Sequence, residues 1–172
     1  MAFLASHAIL RVVQHEPSTG TAVSVLLIRH AEAAVGIPGQ PDRWRALTRR
    51  GKTQAATLAD QLQPAPELIL HSPARRARQT AEIINAHLPS PARLTCAQEL
   101  YPGDIDSMQR LLAQHATSTR VAAIVAHNPA ISLFLAHLCP AEAVELPPSG
   151  AAILQCQDWN VRRVSLVRLL LP

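Results

Sequence analysis

The chain has 172 residues, enough for one domain with a single core, and its 48% hydrophobic content is ordinary for a soluble globular protein. The net charge is +4 and Lys52 is the only lysine, so arginine, whose planar fork matches phosphate and carboxylate, supplies most of the positive charge. No apolar run approaches the roughly 18–20 residues that span a bilayer, so no membrane role is expected.

Residues 1–22 read as a poorly ordered extension, since Met1 to Val13 is only mildly apolar and lacks the basic start of a secretory signal. Val23 to Ile28 is the first strand. Ala33 to Ala46, with Gly36, Pro38, Gly39 and Pro41, is a loop. Thr48 is placed to cap a helix running to about Leu62, whose apolar stripe is Ala55, Leu58, Ala59 and Leu62. Glu67 to Leu70 is a second strand, and Ser72-Pro73 has the cap-plus-proline pattern of a helix start. That helix runs to about Leu88. Arg93 to Cys96 is a third strand, Asp104 caps a helix that includes Ile105, Met108, Leu111 and Leu112, and Val121 to Ala126 is a fourth strand. Pro129 opens a helix to about Leu138, and Ala151 to Cys156 and Arg163 to Leu170 close the chain as a hairpin. Strands alternating with helices imply an α/β three-layer sandwich over residues 23–172, with a mostly parallel central sheet and an antiparallel edge.

Two of these strands end alike. Leu26-Leu27-Ile28 runs into Arg29-His30, and Ala123-Ile124-Val125-Ala126 runs into His127-Asn128-Pro129. Short, continuously apolar segments are buried parallel strands, and ligands of such sheets bind outside the strands' carboxyl ends. Both histidines therefore belong at one crevice. A third contributor comes from the helix after Ser72. Arg75, Arg78, Gln79 and Glu82 form a polar stripe that suits water, whereas Arg76 shares a face with Thr80 and Ile83, beside Ala77, Ala81 and Ile84. An inward arginine in a helix's first turn needs an anion or an ion-pair partner.

Two arginines and two histidines around one crevice suit a phosphoryl group: the guanidinium groups neutralise its oxygens, one imidazole attacks and the other stabilises the transition state. Arginines at the same mouth repel a cation, so no metal and no other cofactor is expected. The three cysteines (Cys96, Cys139, Cys156) have no metal-like spacing, and their odd number points to a reducing cytoplasm rather than a disulfide framework. The arginines are scattered and no stacking aromatics lie among them, which disfavours nucleic acid.

In order along the chain, Leu27-Ile28-Arg29-His30-Ala31-Glu32, Arg45-Ala46-Leu47-Thr48 with Gly51 and Gln54, Ser72-Pro73 with Arg76-Ala77 and Gln79-Thr80, Glu99-Leu100 and His127-Asn128-Pro129 resemble the blocks of the histidine phosphatase superfamily. The compact size and Ser149-Gly150 are similar to its SixA-type phosphohistidine phosphatases. The resemblance implies a phosphoglycerate-mutase-like fold and metal-independent hydrolysis through a covalent phosphohistidine. It makes His30 the nucleophile, with Arg29, Arg76 and His127 as the phosphate pocket and Arg45 beside it. Glu99 matches the general acid of larger members, with Asp104 as the alternative. Short loops around the pocket favour a phosphorylated protein as substrate. A small phosphorylated metabolite is the alternative with the same mechanism, and a noncatalytic phosphate-recognition module is the alternative without one. Arg43, Arg45, Arg49, Arg50 and Arg75 are expected to meet an acidic partner surface.

Overall fold

The structure, a computed structural model, describes residues 22–115, 118–161 and 163–172; the extension expected over residues 1–22 lies outside these apart from Ala22. Among the described residues the strands are β1 (Val23–Arg29), β2 (Leu68–His71), β3 (Arg93–Cys96), β4 (Val121–Ala126), β5 (Ala151–Cys156) and β6 (Ser165–Leu170). The α-helices are α1 (Arg49–Gln61), α2 (Arg75–His87), α3 (Ile105–His115) and α4 (Ala130–Leu138). The strands form one sheet in the order β3-β2-β4-β1-β5-β6. β1 to β4 are mutually parallel, while β5 runs antiparallel to β1 and β6 antiparallel to β5.

The side-chain period of two divides the central strands between two cores. Val25 and Leu27 of β1 and Ala122, Ile124 and Ala126 of β4 face a core completed by Met108, Leu111 and Leu112 of α3 and Ile131, Phe134 and Leu135 of α4. Leu26, Ile28, Ala123 and Val125 face the other, built with Leu58 and Ala59 of α1 and Ala77, Ala81 and Ile84 of α2. Two helices on each face of a sheet are the expected three-layer sandwich.

Register then fixes the site. Arg29 of β1 lies opposite Ala126 of β4, so His30 and His127 follow at the carboxyl ends of adjacent parallel strands. The backbone N–H of His30 donates to Ala126 O at 3.0 Å and closes the pair. The chain beyond His30 is held by side chains that satisfy its backbone. Thr80 Oγ1 accepts from the Ala31 N–H, Gln54 Oε1 from the Glu32 N–H and Gln79 Oε1 from the Leu47 N–H. Gln79 thus pins this loop instead of joining the water-facing stripe with Arg75 and Arg78. Gly51 allows α1 to approach so closely: a Cβ there would stand 2.0 Å from Glu32 O.

Several element ends differ from expectation: β1 runs on to Arg29 and β2 to His71, each one residue further. β2 begins one residue late, although the Glu67 N–H and carbonyl still bond to Val121 O and Arg93 N. β6 begins at Ser165 instead of Arg163, because Arg163 and Val161 adopt positive φ in the preceding turn. α2 begins at Arg75 with Ala74 as its cap, so Ser72 does not cap it. Ser72 is committed elsewhere.

Candidate active site

His30 is held in one tautomer. Its Nδ1 lies 2.7 Å from Ala31 O, and because a carbonyl only accepts, Nδ1 must carry the proton. Nε2 is left with a lone pair, which accepts from Arg76 Nε–H at 3.0 Å. Burial lowers the His30 pKa to about 4; the Ala31 bond opposes this, and the charges of Arg76, Arg29 and Arg45 add to it. The imidazole is therefore neutral at pH 7.

His127 is buried, and its Nε2 lies 2.7 Å from Ser72 Oγ. Its Nδ1 is buried without a hydrogen-bond partner. Burial, with His30 and Arg76 close by, lowers its pKa to about 3. The two imidazoles meet edge to face with centroids 5.0 Å apart. Both depressed values lie below the unfolded value of about 6.5, so as pH falls from there the unfolded chain binds protons first and the fold loses stability. The pair is expected to titrate below about pH 5 in a proton NMR titration of the imidazole C–H signals. A midpoint near 6.5 for His30 would show that the imidazole is solvated rather than seated as described.

Arg76 points inward, as its helical phase requires, and is 6% exposed. Its partner is Asp42, in a short 3-10 turn (Asp42–Trp44) of the loop that follows β1. Nη1 donates to Asp42 O and Nη2 to Asp42 Oδ2, both at 2.9 Å. Asp42 also accepts from Arg45 Nη1 at 2.9 Å and from the Tyr101 hydroxyl at 3.2 Å. Partial burial raises the Asp42 carboxyl pKa, but the bonds from Arg45 and Arg76 outweigh this and hold it at about 2. The Tyr101 ring in turn meets His127 edge to face at 5.5 Å. His30, Arg76, Asp42, Tyr101 and His127 thus form a closed ring of contacts.

Arg29 lies on the other side of His30. Its Nη1 donates to Leu146 O at 2.8 Å, near Glu145, while its Nε is buried and unpaired. Asn128 Nδ2 donates to the same two residues, Glu145 and Leu146. Arg45 also donates from Nε to Ala34 O, which folds the loop onto itself. Of the residues expected at the site, His30, Arg76, His127 and Arg45 are joined through this network, and Arg29 flanks it.

The two acid candidates stand apart from the ring. Glu99 is exposed in a short 3-10 turn (Gln98–Leu100). Asp104 caps α3, accepting from the Ser107 N–H at 2.7 Å and from Ser107 Oγ at 3.0 Å. The Ser107 backbone bond, joined by the hydroxyl, lowers the Asp104 pKa. A cleft of about 750 Å³ beside Arg76 and His127 is lined by Asp104 and not by Glu99.

Sequence reasoning missed Asp42, Tyr101 and Ser72. Each belongs to the site through a side chain reaching across the fold; Asp42 and Tyr101 carry no local pattern that marks them, and Ser72-Pro73 reads locally as a helix start. Among the described residues, no group of three His, Cys, Asp or Glu is placed to hold a metal ion, and no helix is long and apolar enough to cross a membrane.

Comparison with known proteins gives the same picture. Residues 25–108 match the model of the histidine phosphatase superfamily (branch 1). The phosphohistidine phosphatase SixA of Escherichia coli K12 is 32% identical over 126 residues, 70% of this chain and 76% of that protein. The crystal structure of a SixA protein from Agrobacterium tumefaciens superposes with a TM-score of 0.76 at 30% identity, over 87% of this chain and 99% of that one. A tungstate complex of the protein histidine phosphatase SixA superposes equally well, with TM-score 0.76 at 26% identity, over 87% and 97% of the two chains. The chain belongs to the histidine phosphatase superfamily, in its SixA-type branch.

Proposed function

We propose that this protein is a cytoplasmic phosphohistidine phosphatase that acts on a phosphorylated protein, with His30 as its nucleophile. The observation that carries this reading is the unprotonated Nε2 of a neutral His30, facing the donor edge of Arg76. His30 Nε2 attacks phosphorus in line as the bond from phosphorus to the substrate's imidazole nitrogen breaks. The electron pair of that bond leaves with the imidazole. Water then attacks the phosphoryl group on His30, releasing inorganic phosphate and restoring the imidazole. Arg76, Arg29 and His127 donate to the non-bridging oxygens, where charge compensation matters most. Ser72 holds the His127 ring in place. A cytoplasmic setting accords with the free thiols of Cys96, Cys139 and Cys156.

Asp42 orients Arg76 without competing for the phosphate. A guanidinium has two usable edges. Asp42 engages the end formed by Nη1 and Nη2, which leaves the edge formed by Nε and the second Nη2 hydrogen for a phosphoryl group at His30. Asp42→Asn is expected to weaken inorganic phosphate binding roughly five- to tenfold in calorimetry, a modest loss because the carboxylate is half exposed. Tighter phosphate binding in the variant would show that Asp42 occupies the phosphate's place.

Proton supply separates the substrate classes. Asp42 and Asp104 are both held ionised, and Glu99, the acid implied by family resemblance, is exposed on a separate turn. A phosphohistidine tolerates this, since its leaving imidazole has a conjugate acid of pKa about 6.5, whereas an alkoxide needs a proton as it departs. The test is side-by-side kcat/KM for a phosphohistidine-bearing protein domain and a panel of alkyl phosphate metabolites. A clear preference for the protein is the expected result. Preference for a metabolite would retain His30 as nucleophile and replace the substrate.

A further inference from the structure

Two concave surfaces meet on the outer face of α4. The first is the cleft already described, which begins at Arg76 and His127 and passes Ile105 and Leu133 to His137. The second, about 580 Å³, lies beyond Leu133 and runs past Ala136 to Val144 and Glu145. They share Asn128, Pro129 and Leu133, so one continuous trough leads from the phosphate pocket along the helix. α4 has nine residues, which is about 13 Å of helix, and that length accommodates roughly four residues of extended chain. A phosphorylated metabolite anchored at His30 would fill only the first part.

The lining of the trough indicates what lies in it. Ile131, Phe134 and Leu135 of α4 are buried, but Leu133 is 54% exposed at the junction of the two concavities. A single exposed leucine is ordinary on a protein surface. This one has half-buried Ile105 and Val144 and exposed Pro129 around it, which together make an apolar floor. Exposed carboxylates line it: Asp104 and Asp106 in the first concavity, and Glu145, which also meets Arg29 and Asn128, in the second. Arg76, at the catalytic end, is the one Arg or Lys among the lining residues. An apolar floor lined along its length by carboxylates complements a segment carrying one apolar and one basic side chain.

Resting on the phosphohistidine reading above, we infer that this trough docks the three or four residues on one side of the substrate's phosphohistidine, and that it selects an apolar and a basic side chain among them. Arg43, Arg49 and Arg50 lie on the opposite flank, in the loop after β1 and at the start of α1, where an acidic patch of the same partner would meet them. The partner protein is therefore held in one direction across the pocket, by charges of opposite sign on its two sides.

The test uses two synthetic phosphohistidine peptides that differ only in their flanks, one carrying Leu and Lys and the other Ser and Glu. Their affinities for His30→Ala protein, which binds without turnover, are read by calorimetry. The Leu/Lys peptide is expected to bind at least about tenfold more tightly, a difference of about 1.4 kcal/mol. Adding Leu133→Asp or, separately, Asp106→Lys to that protein should remove the preference. In the otherwise native enzyme, the same two substitutions should leave kcat/KM for phosphoimidazole unchanged, because neither residue touches the phosphate pocket. Equal affinity for the two peptides, or a preference that survives both substitutions, overturns the trough. Absence of phosphoimidazole hydrolysis by the unsubstituted enzyme would overturn the phosphatase reading instead, and the peptide affinities are measured independently of it.

Discussion

His30→Ala is expected to abolish turnover, with a loss of at least about 10⁴-fold in kcat for a phosphohistidine substrate, and to leave a folded protein. The chemical half of this follows from the covalent step, since among the described residues His30 is the imidazole bonded to the Arg76 edge. His127 is placed differently: its Nε2 is held by Ser72 Oγ, and its Nδ1 is buried without a bond to Arg76. The structural half follows from the contacts that remain. Arg76 keeps both bonds to Asp42, and the backbone bond from residue 30 to Ala126 O does not involve the side chain. Circular dichroism and thermal unfolding check the fold, and ³²P labelling checks that no phosphoenzyme forms. Residual labelling at another histidine, or a variant that unfolds, would remove His30 from the nucleophile's role.

Arg76→Ala should cost roughly 10²–10³-fold in kcat/KM, the loss typical of removing a positioned donor to developing charge. Arg75→Ala and Arg78→Ala are expected to stay within about twofold, as exposed substitutions usually do. The three arginines lie within one turn of α2, so composition alone does not separate them. Their surroundings do: Arg76 is bonded to His30 and Asp42, whereas Arg78 makes only a solvent-exposed pair with Glu82 at 3.5 Å. Steady-state kinetics on the three variants decides the matter, and comparable losses would mean that the whole helix start, not one side chain, binds the phosphoryl group.

The orientation of Arg76 was legible because a helix has a phase, and its neighbours Ala77, Ala81 and Ile84 define it. The ends of β1 and β4 were legible because an apolar run that stops at a polar pair marks where a buried strand emerges. Asp42 was not. It stands in a loop that has no periodicity, and its partners are Arg45, three positions on, and Arg76 and Tyr101, far along the chain. Ser72 misled for a related reason. A serine before a proline carries the local signature of a helix cap, yet Ser72 Oγ pairs with His127 and reaches only the N–H of Ala74, which is the cap itself. Local pattern describes what a residue could bond to nearby and is silent about a neighbouring strand.

The position of β1 in the sheet also bears on how the protein is made. β1 lies between β4 and β5, both of which come much later in the chain. A nascent chain that has emerged only through α2 already contains His30, Arg29 and Arg76, but its most apolar strand has two open edges and no partner on either. Such a strand is slow to pair and prone to associate with other chains until the missing strands appear. The candidate site is therefore completed late, when β4 brings His127 beside β1 and β5 closes the other edge. Synthesis arrested before that point would yield an adhesive fragment that holds His30, Arg29 and Arg76 but lacks His127.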